Sequence, residues 1–305
     1  MKSKAFPFAM MCGLIWGSMA HADPLRVVAD IAPVHSLVAQ VMAGVAEPTL
    51  ILPRGASPHG YAMRPSEARA LQSADLVVWI GPELTPWLDR ARENLAAEAT
   101  ELVLMTVPDT RLLPVRDLAV FAEEGHAGHN THAHGGVDPH VWLDPKNAEV
   151  WVGVIAAQLS VQDPENAAVY SANAKAAQAA LATLQTDLER KFAAINDAPY
   201  LVYHDAYQYL EVSFDLNAVG AVSASDASRP SAARISELQS ALAANKISCI
   251  FSEPQFSPSL VSSLQNGSDV KGAFLDPMGT ALEPGPAFYG ALLNDMSDQI
   301  VACLN

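Results

Sequence analysis

Across residues 163–195 the apolar side chains Tyr170, Ala174, Ala177, Leu181, Leu184, Leu188, Phe192 and Ile195 follow one another by threes and fours. That is the period of one helix face. A helix of this reach would be about 50 Å long at 1.5 Å per residue, more than one lobe needs to cover a sheet. The segment constrains everything else. The chain before it and the chain after it are expected to form separate lobes, with the helix as a rigid strut between them.

The flanks support that division. Before the strut, short apolar runs at 25–30, 48–52, 75–80 (DLVVWI) and 101–106 (ELVLMT) alternate with helical patterns at 33–43 and 64–74. After it, runs at 200–203 (YLVY), 217–222, 248–252 and 270–275 (VKGAFL) alternate with helical patterns at 205–214, 231–245, 258–265 and 286–304. Such alternation argues for an α/β fold of two Rossmann-like lobes with parallel sheets. A helix is also expected at 145–161, opened by Pro145, whose missing N–H costs nothing there.

The first 22 residues read as an address rather than as fold: Lys2 and Lys4, an apolar run over 5–19, then Ala20-His21-Ala22. The run is too short to cross a bilayer. Cleavage is expected after Ala22, giving an exported chain from Asp23. Losing Lys2 and Lys4 takes the net charge from −15 to −17. A chain so acidic is repelled by phosphate backbones and anionic headgroups, which argues against nucleic acid or a membrane surface as partner and suits a dissolved cation. Cleavage also leaves Cys249 and Cys303, read as one structural disulfide of an exported protein. The expected organisation is a signal peptide over 1–22, an α/β lobe over 23–162, a linker helix over 163–196 and a second α/β lobe over 197–305.

Open parallel sheets bind ligands outside the carboxyl ends of their strands. His59 follows the run ending at Leu52, His140 precedes a helix in VDPHVWLDP, and His204 directly follows YLVY. Asp276 ends the run GAFLD. Asp138, Asp144 and Asp205 lie close by in sequence and are candidates to accept the second ring N–H and fix each imidazole, as metal-binding histidines require. A polar stretch over 123–136 (EEGHAGHNTHAHGG) adds His126, His129, His132 and His134, whose irregular spacing and glycines suit a weak auxiliary metal collector rather than a fixed site. His35 is assigned to the cleft rim or to packing.

PRGASPHGYAMRPSEARALQSADLVVWIGPEL, DPHVWLDP, VYHDAYQYL, SEPQFSP and LDPMGT, in that order, resemble the periplasmic zinc-binding protein of high-affinity zinc ABC importers over essentially the whole exported chain. The resemblance implies two α/β lobes joined by a long backbone helix, with one metal in the cleft between them. Carried over by position, His59, His140 and His204 fall on that family's zinc-binding histidines. Asp276 falls on an acid that is a ligand in manganese-type relatives. Some zinc members have an acid just before the first histidine; Pro58 stands there instead, which leaves the fourth position to Asp276 or to water. The Cys249–Cys303 pair matches a disulfide of such proteins.

Imidazole suits Zn²⁺, whereas oxygen-rich sets suit Mn²⁺. Three histidines plus an acid or water fit tetrahedral zinc, here as transported ligand rather than resident cofactor. The expected partners are the membrane permease of an ABC importer with its ATPase, and a periplasmic zinc chaperone is a further candidate. The chain is expected to be a periplasmic monomer, to close only slightly on binding, with loops ordering around His204, and not to be an enzyme. Two alternatives remain at this point: a free-standing zinc buffer or chaperone, and a zinc hydrolase with Glu253 as its general base. HExxH, G-x-S-x-G and phosphate-loop patterns are absent from the sequence.

Overall fold

The computed structural model describes residues 24–116, 120–121, 136–195, 197–223, 230–244, 247–256, 259–265 and 268–305. The expected signal peptide and the four histidines of the polar stretch lie outside them. Strands β1 (Val27–Ala29), β2 (Thr49–Leu50), β3 (Leu76–Trp79) and β4 (Thr100–Val103) form one parallel sheet in the order β2-β1-β3-β4. Strands β5 (Tyr200–His204), β6 (Ala218–Ser223), β7 (Cys249–Ser252) and β8 (Lys271–Phe274) form a second, in the order β6-β5-β7-β8. The inner strands β1, β3, β5 and β7 are buried along their whole length, which is why VVA, LVVW, YLVYH and CIFS are runs and not alternations. Helices α1 (Ala32–Met42), α2 (Pro65–Gln72) and α3 (Pro86–Leu95) belong to the first lobe, and α6 (Gln208–Phe214), α7 (Ala232–Ala244), α8 (Ser259–Gln265) and α9 (Phe288–Leu304) to the second.

Between the lobes run α4 (Pro145–Gln162) and α5 (Ala167–Phe192). Asp144 caps α4 by accepting from the Lys146 N–H at 2.9 Å, with Pro145 in the first turn. In α5 the buried face is Tyr170, Ala174, Ala177, Leu181, Leu188 and Phe192, the stripe read from the sequence. It packs against α1 and α4 on one side and α6 and α9 on the other. One apolar core therefore continues from Val27 and Leu76 through α5 to Val202 and Phe251.

The strut is shorter than the sequence pattern. Its 26 residues span about 39 Å at 1.5 Å per residue. Pro164–Asn166 forms a separate 3-10 turn, beside which the Asp163 carboxylate accepts from Asn166 Nδ2 at 2.8 Å and from the Tyr170 hydroxyl at 2.7 Å. Pro164, at the start of the turn, has no N–H with which to continue the α4 ladder. Two further differences concern the first lobe. Leu104–Thr106, expected as strand, is a 3-10 turn, and α3 was not expected at all, since its sequence PWLDRARENL buries only Leu88 fully.

The segment after β4 crosses to the second lobe. The Phe121 N–H donates to Val219 at 2.9 Å and Val120 bridges Gly220, on the outer strand β6. Several bonds tie the lobes together at the cleft: Trp142 Nε1 to the Pro277 carbonyl at 3.0 Å, the Tyr289 hydroxyl to the Trp142 carbonyl at 2.7 Å, and Ser36 Oγ to the Pro286 carbonyl at 3.0 Å. No helix of the described residues is long and apolar enough to cross a membrane.

Cys249, the first residue of β7, is disulfide-bonded to Cys303 in α9. Closing a loop of this length is worth about 4 kcal/mol on the chain-entropy model. Replacing both cysteines by alanine is expected to lower the unfolding free energy by about that amount, measured by urea denaturation without reductant. A variant as stable as the parent would show that the tie does nothing for the fold.

Candidate metal centre

Three elements bring His59, His140 and His204 to one place. His204 is the last residue of β5. His140 stands immediately before a 3-10 turn, Val141–Leu143, whose Trp142 is bonded to the second lobe as described. His59 is carried by the loop between β2 and α2. The unexpected helix α3 holds that loop: Trp87 Nε1 donates to the Pro58 carbonyl at 2.7 Å, and the Trp87 ring meets Tyr61 edge-on at 5.4 Å. Gly55, at φ +78°, supplies a left-handed turn that a side chain would resist.

One donor atom from each of the three rings lies within 4.8 Å of the others. His140 Nδ1 is 2.7 Å from Asp138 Oδ1, and His204 Nδ1 is hydrogen-bonded to Glu253 Oε1. A carboxylate accepts, so each Nδ1 donates. This turns both Nε2 atoms toward the shared space, where they lie 3.4 Å apart. Two nitrogens bound to one tetrahedral zinc at about 2.0–2.1 Å would be about 3.3–3.4 Å apart. The separation is already that of a shared ion, and two acceptor nitrogens this close repel unless a proton or cation lies between them. A cavity of about 10 Å³ adjoins the three rings, walled also by Trp142, Gln255 and Met278. It has room for about one water-sized particle.

The surroundings are dry and acidic. His140 and His204 are 5% and 3% exposed, and Glu253 is fully buried. Burial pushes the Asp138 carboxyl up to about 7, against the pull of the His140 backbone N–H and of Arg116. Burial likewise raises Glu253, with His204 pulling the other way. Behind them, Arg116 is paired with Asp205 and, at 2.7 Å, with Glu211. Burial lifts Asp205 and takes Glu211 to about 7, although Arg116 opposes both. A second cavity, of about 200 Å³, opens against His59 and His140 from the side of Glu83, Asp138 and Asp205.

The expected residues divide clearly. His59, His140 and His204 converge. Asp276 is not in the group: Oδ1 accepts from the Met278 N–H at 2.9 Å, and Oδ2 from the Thr280 N–H and hydroxyl, each at 2.6 Å. Its carboxylate is occupied by its own turn. Of the three aspartates offered as ring partners, only Asp138 is one. Asp144 caps α4 and pairs with Arg111 at 3.0 Å, and Asp205 is taken by Arg116. The partner of His204 is Glu253, which the sequence had suggested only as a base for an enzyme. The signal that finds it is a register: Tyr200 pairs with Cys249 and Leu201 with Ile250, so the same offset sets Glu253 beside His204. His35 packs, with Nε2 3.0 Å from the Pro48 carbonyl. The loop-borne member of the trio is His59, whereas His204 ends a central strand.

Two parallel sheets, one helix packed on both, and a ring cluster where the lobes meet define a two-lobed solute-binding protein. More narrowly, the chain belongs to the family described as zinc-uptake complex component A, periplasmic, whose model matches residues 27–303. The high-affinity zinc uptake system protein ZnuA of Paracoccus denitrificans (strain Pd 1222) is 40% identical over 307 residues, covering 93% of each chain. That of Brucella suis biovar 1 (strain 1330) is 33% identical over 323 residues, covering 97% of this chain and 96% of the relative. A crystal structure of ZnuA shares the fold, with a TM-score of 0.77 over 93% of this chain and 100% of that one, at 21% identity.

Removing one partner of a buried ion pair costs about 3–5 kcal/mol. Arg116→Ala is expected to cost that much at pH 8 and less at pH 5. The folded-state values of Asp205 and Glu211 lie above their unfolded ones. Protonation therefore favours the folded state, and the stability held by neutral Glu211 is lost as pH rises from 4.5 through about 7, with Asp205 shifted in the same direction. Urea unfolding of the metal-free variant at the two pH values measures this; an equal deficit at both would refute it.

Proposed function

We propose that this chain is a periplasmic solute-binding protein that captures Zn²⁺ through His59, His140 and His204 and delivers it to the permease of an ABC importer, whose ATPase drives uptake. The observation that carries the reading is the pair of Nε2 atoms 3.4 Å apart with each Nδ1 hydrogen-bonded to a carboxyl oxygen. Neutral imidazoles so arranged suit zinc better than manganese. Membership of a zinc-uptake family supports the same cargo and the same compartment.

In this reading water takes the fourth position while Asp276 stays in its turn. His140 and His204 form a preset pair, and His59 completes the site by a small movement of its loop. The permease would release the ion by displacing that loop. The residues 1–22 are removed on export, 163–196 serve as the connecting segment between the lobes 23–162 and 197–305, and the chain acts as a monomer. His126, His129, His132 and His134 gather zinc weakly and are dispensable for the cleft. The hydrolase alternative loses its base, because Glu253 is fully buried and bonded to His204 and Gln255.

The test is chelator-competition titration of the chain from Asp23 to Asn305 with Zn²⁺ and Mn²⁺. One tightly bound Zn²⁺ per chain is expected, with Mn²⁺ held more weakly. His59→Ala, His140→Ala and His204→Ala should each abolish tight binding, while deletion of 123–136 should retain it. Tight binding that survives the histidine changes but disappears with the deletion would sink the cleft assignment.

A further inference from the structure

The carboxylate behind His204 is not explained by the fold. Glu253 directly follows the strand CIFS and is fully buried. Its two oxygens face in different directions. Oε1 takes the Nδ1 proton of His204, and Oε2 accepts from Gln255 Nε2 at 2.7 Å. Gln255 is itself part of the wall of the small cavity. The pair stands between β5 and β7, where the strand order β6-β5-β7-β8 reverses direction from the centre. That reversal is the crevice in which open α/β sheets place their ligands.

A hydrogen bond alone would need no charge, since a glutamine oxygen also accepts from an imidazole N–H, though more weakly than a carboxylate. A buried carboxylate is costly to ionise, so its presence asks for a reason. A full negative charge on Nδ1–H makes Nε2 a stronger donor to a cation. Asp138 stands in the same relation to His140 from the other lobe. The two carboxylates together balance the charge of one divalent ion, a match that two amides would not give.

We propose that Glu253 is a positioning residue for His204, and that its negative charge, beyond its hydrogen bond, sets how strongly that ring holds a divalent transition-metal cation. The proposal rests on the zinc-binding reading above and deepens it by naming the residue that tunes one ligand.

Three variants, Glu253→Gln, Glu253→Asp and Asp138→Asn, are compared with the parent in Zn²⁺ affinity, in melting temperature without metal, and in the visible spectrum of the Co²⁺-loaded protein. Glu253→Gln is expected to bind Zn²⁺ about 10–100-fold more weakly while melting, metal-free, no lower than the parent. Its Co²⁺ form should keep the intense absorption of a tetrahedral site, shifted to longer wavelength by a weaker ligand field. Glu253→Asp, which keeps the charge, should recover part of the affinity, and Asp138→Asn should repeat the loss at His140. Parent-like Zn²⁺ affinity in Glu253→Gln would overturn the proposal. So would a loss of affinity together with a lowered melting temperature and loss of the tetrahedral absorption, which would make Glu253 a packing residue only. A parent that binds no Zn²⁺ would instead overturn the reading underneath, and the proposal with it.

Discussion

An imidazole can offer a lone pair to a cation only while its other nitrogen keeps a proton, and the cluster meets that condition by burying a carboxylate behind each of two rings. The rest of the architecture makes such burial tolerable. Asp138 is reached by the His140 backbone N–H at 3.0 Å, and its own carbonyl accepts from the Tyr209 hydroxyl at 2.8 Å. Glu253 is held between His204 and Gln255. Arg116, stacked over Phe121 at 3.7 Å, neutralises the acids just behind. The continuous core that α5 runs through both lobes surrounds these groups with apolar side chains, where hydrogen bonds are strengthened by the low dielectric.

The two sheets share a strand order, yet they treat their crevices differently. In the first, the reversal lies between β1 and β3, and Asp30 fills it. One oxygen accepts from the Ile31 N–H at 2.8 Å and the other from the Ile80 N–H at 2.9 Å. Burial raises that carboxyl to about 7, and the backbone donors only partly offset it. The crevice is closed by its own acid. The second sheet leaves its crevice to His204 and Glu253. The first lobe therefore supplies its histidines from a loop and a turn, not from strand ends.

Much of this was readable from residues. LVVW and YLVY announced buried strands, and the stripe from Tyr170 to Phe192 announced a helix packed on both sides. The misses have physical causes. Pro164 opens a 3-10 turn where the pattern continued into helix, and α3 is short, polar on average and fully buries only Leu88, although it holds the loop of His59. The histidines were recognisable by type and by position after apolar runs. Their carboxylate partners were harder, because Glu253 meets His204 only once β5 and β7 are adjacent in a fixed register. Sequence neighbours such as Asp205 were the natural guess, and Arg116 had taken that one. Asp276 had the position of a ligand, but its own turn supplies hydrogen bonds that compete with a metal.

Trp142 is bonded to Pro277 on one side and to Tyr289 on the other, so the turn that carries His140 belongs mechanically to both lobes. Receptors whose halves swing apart lose their cargo at the frequency of that swing. In this chain hydrogen bonds from Trp142 to Pro277 and from Tyr289 to Trp142 would oppose such a swing at the metal cluster. On the reading proposed above, an ion shared by His140 and His204 would sit between a turn and a strand end tied to one another, while His59 would reach it from a loop. Grip and discharge would then fall to different parts of the chain, and a partner that pulled on the loop would empty the site without disturbing the strand and turn that hold the other two rings.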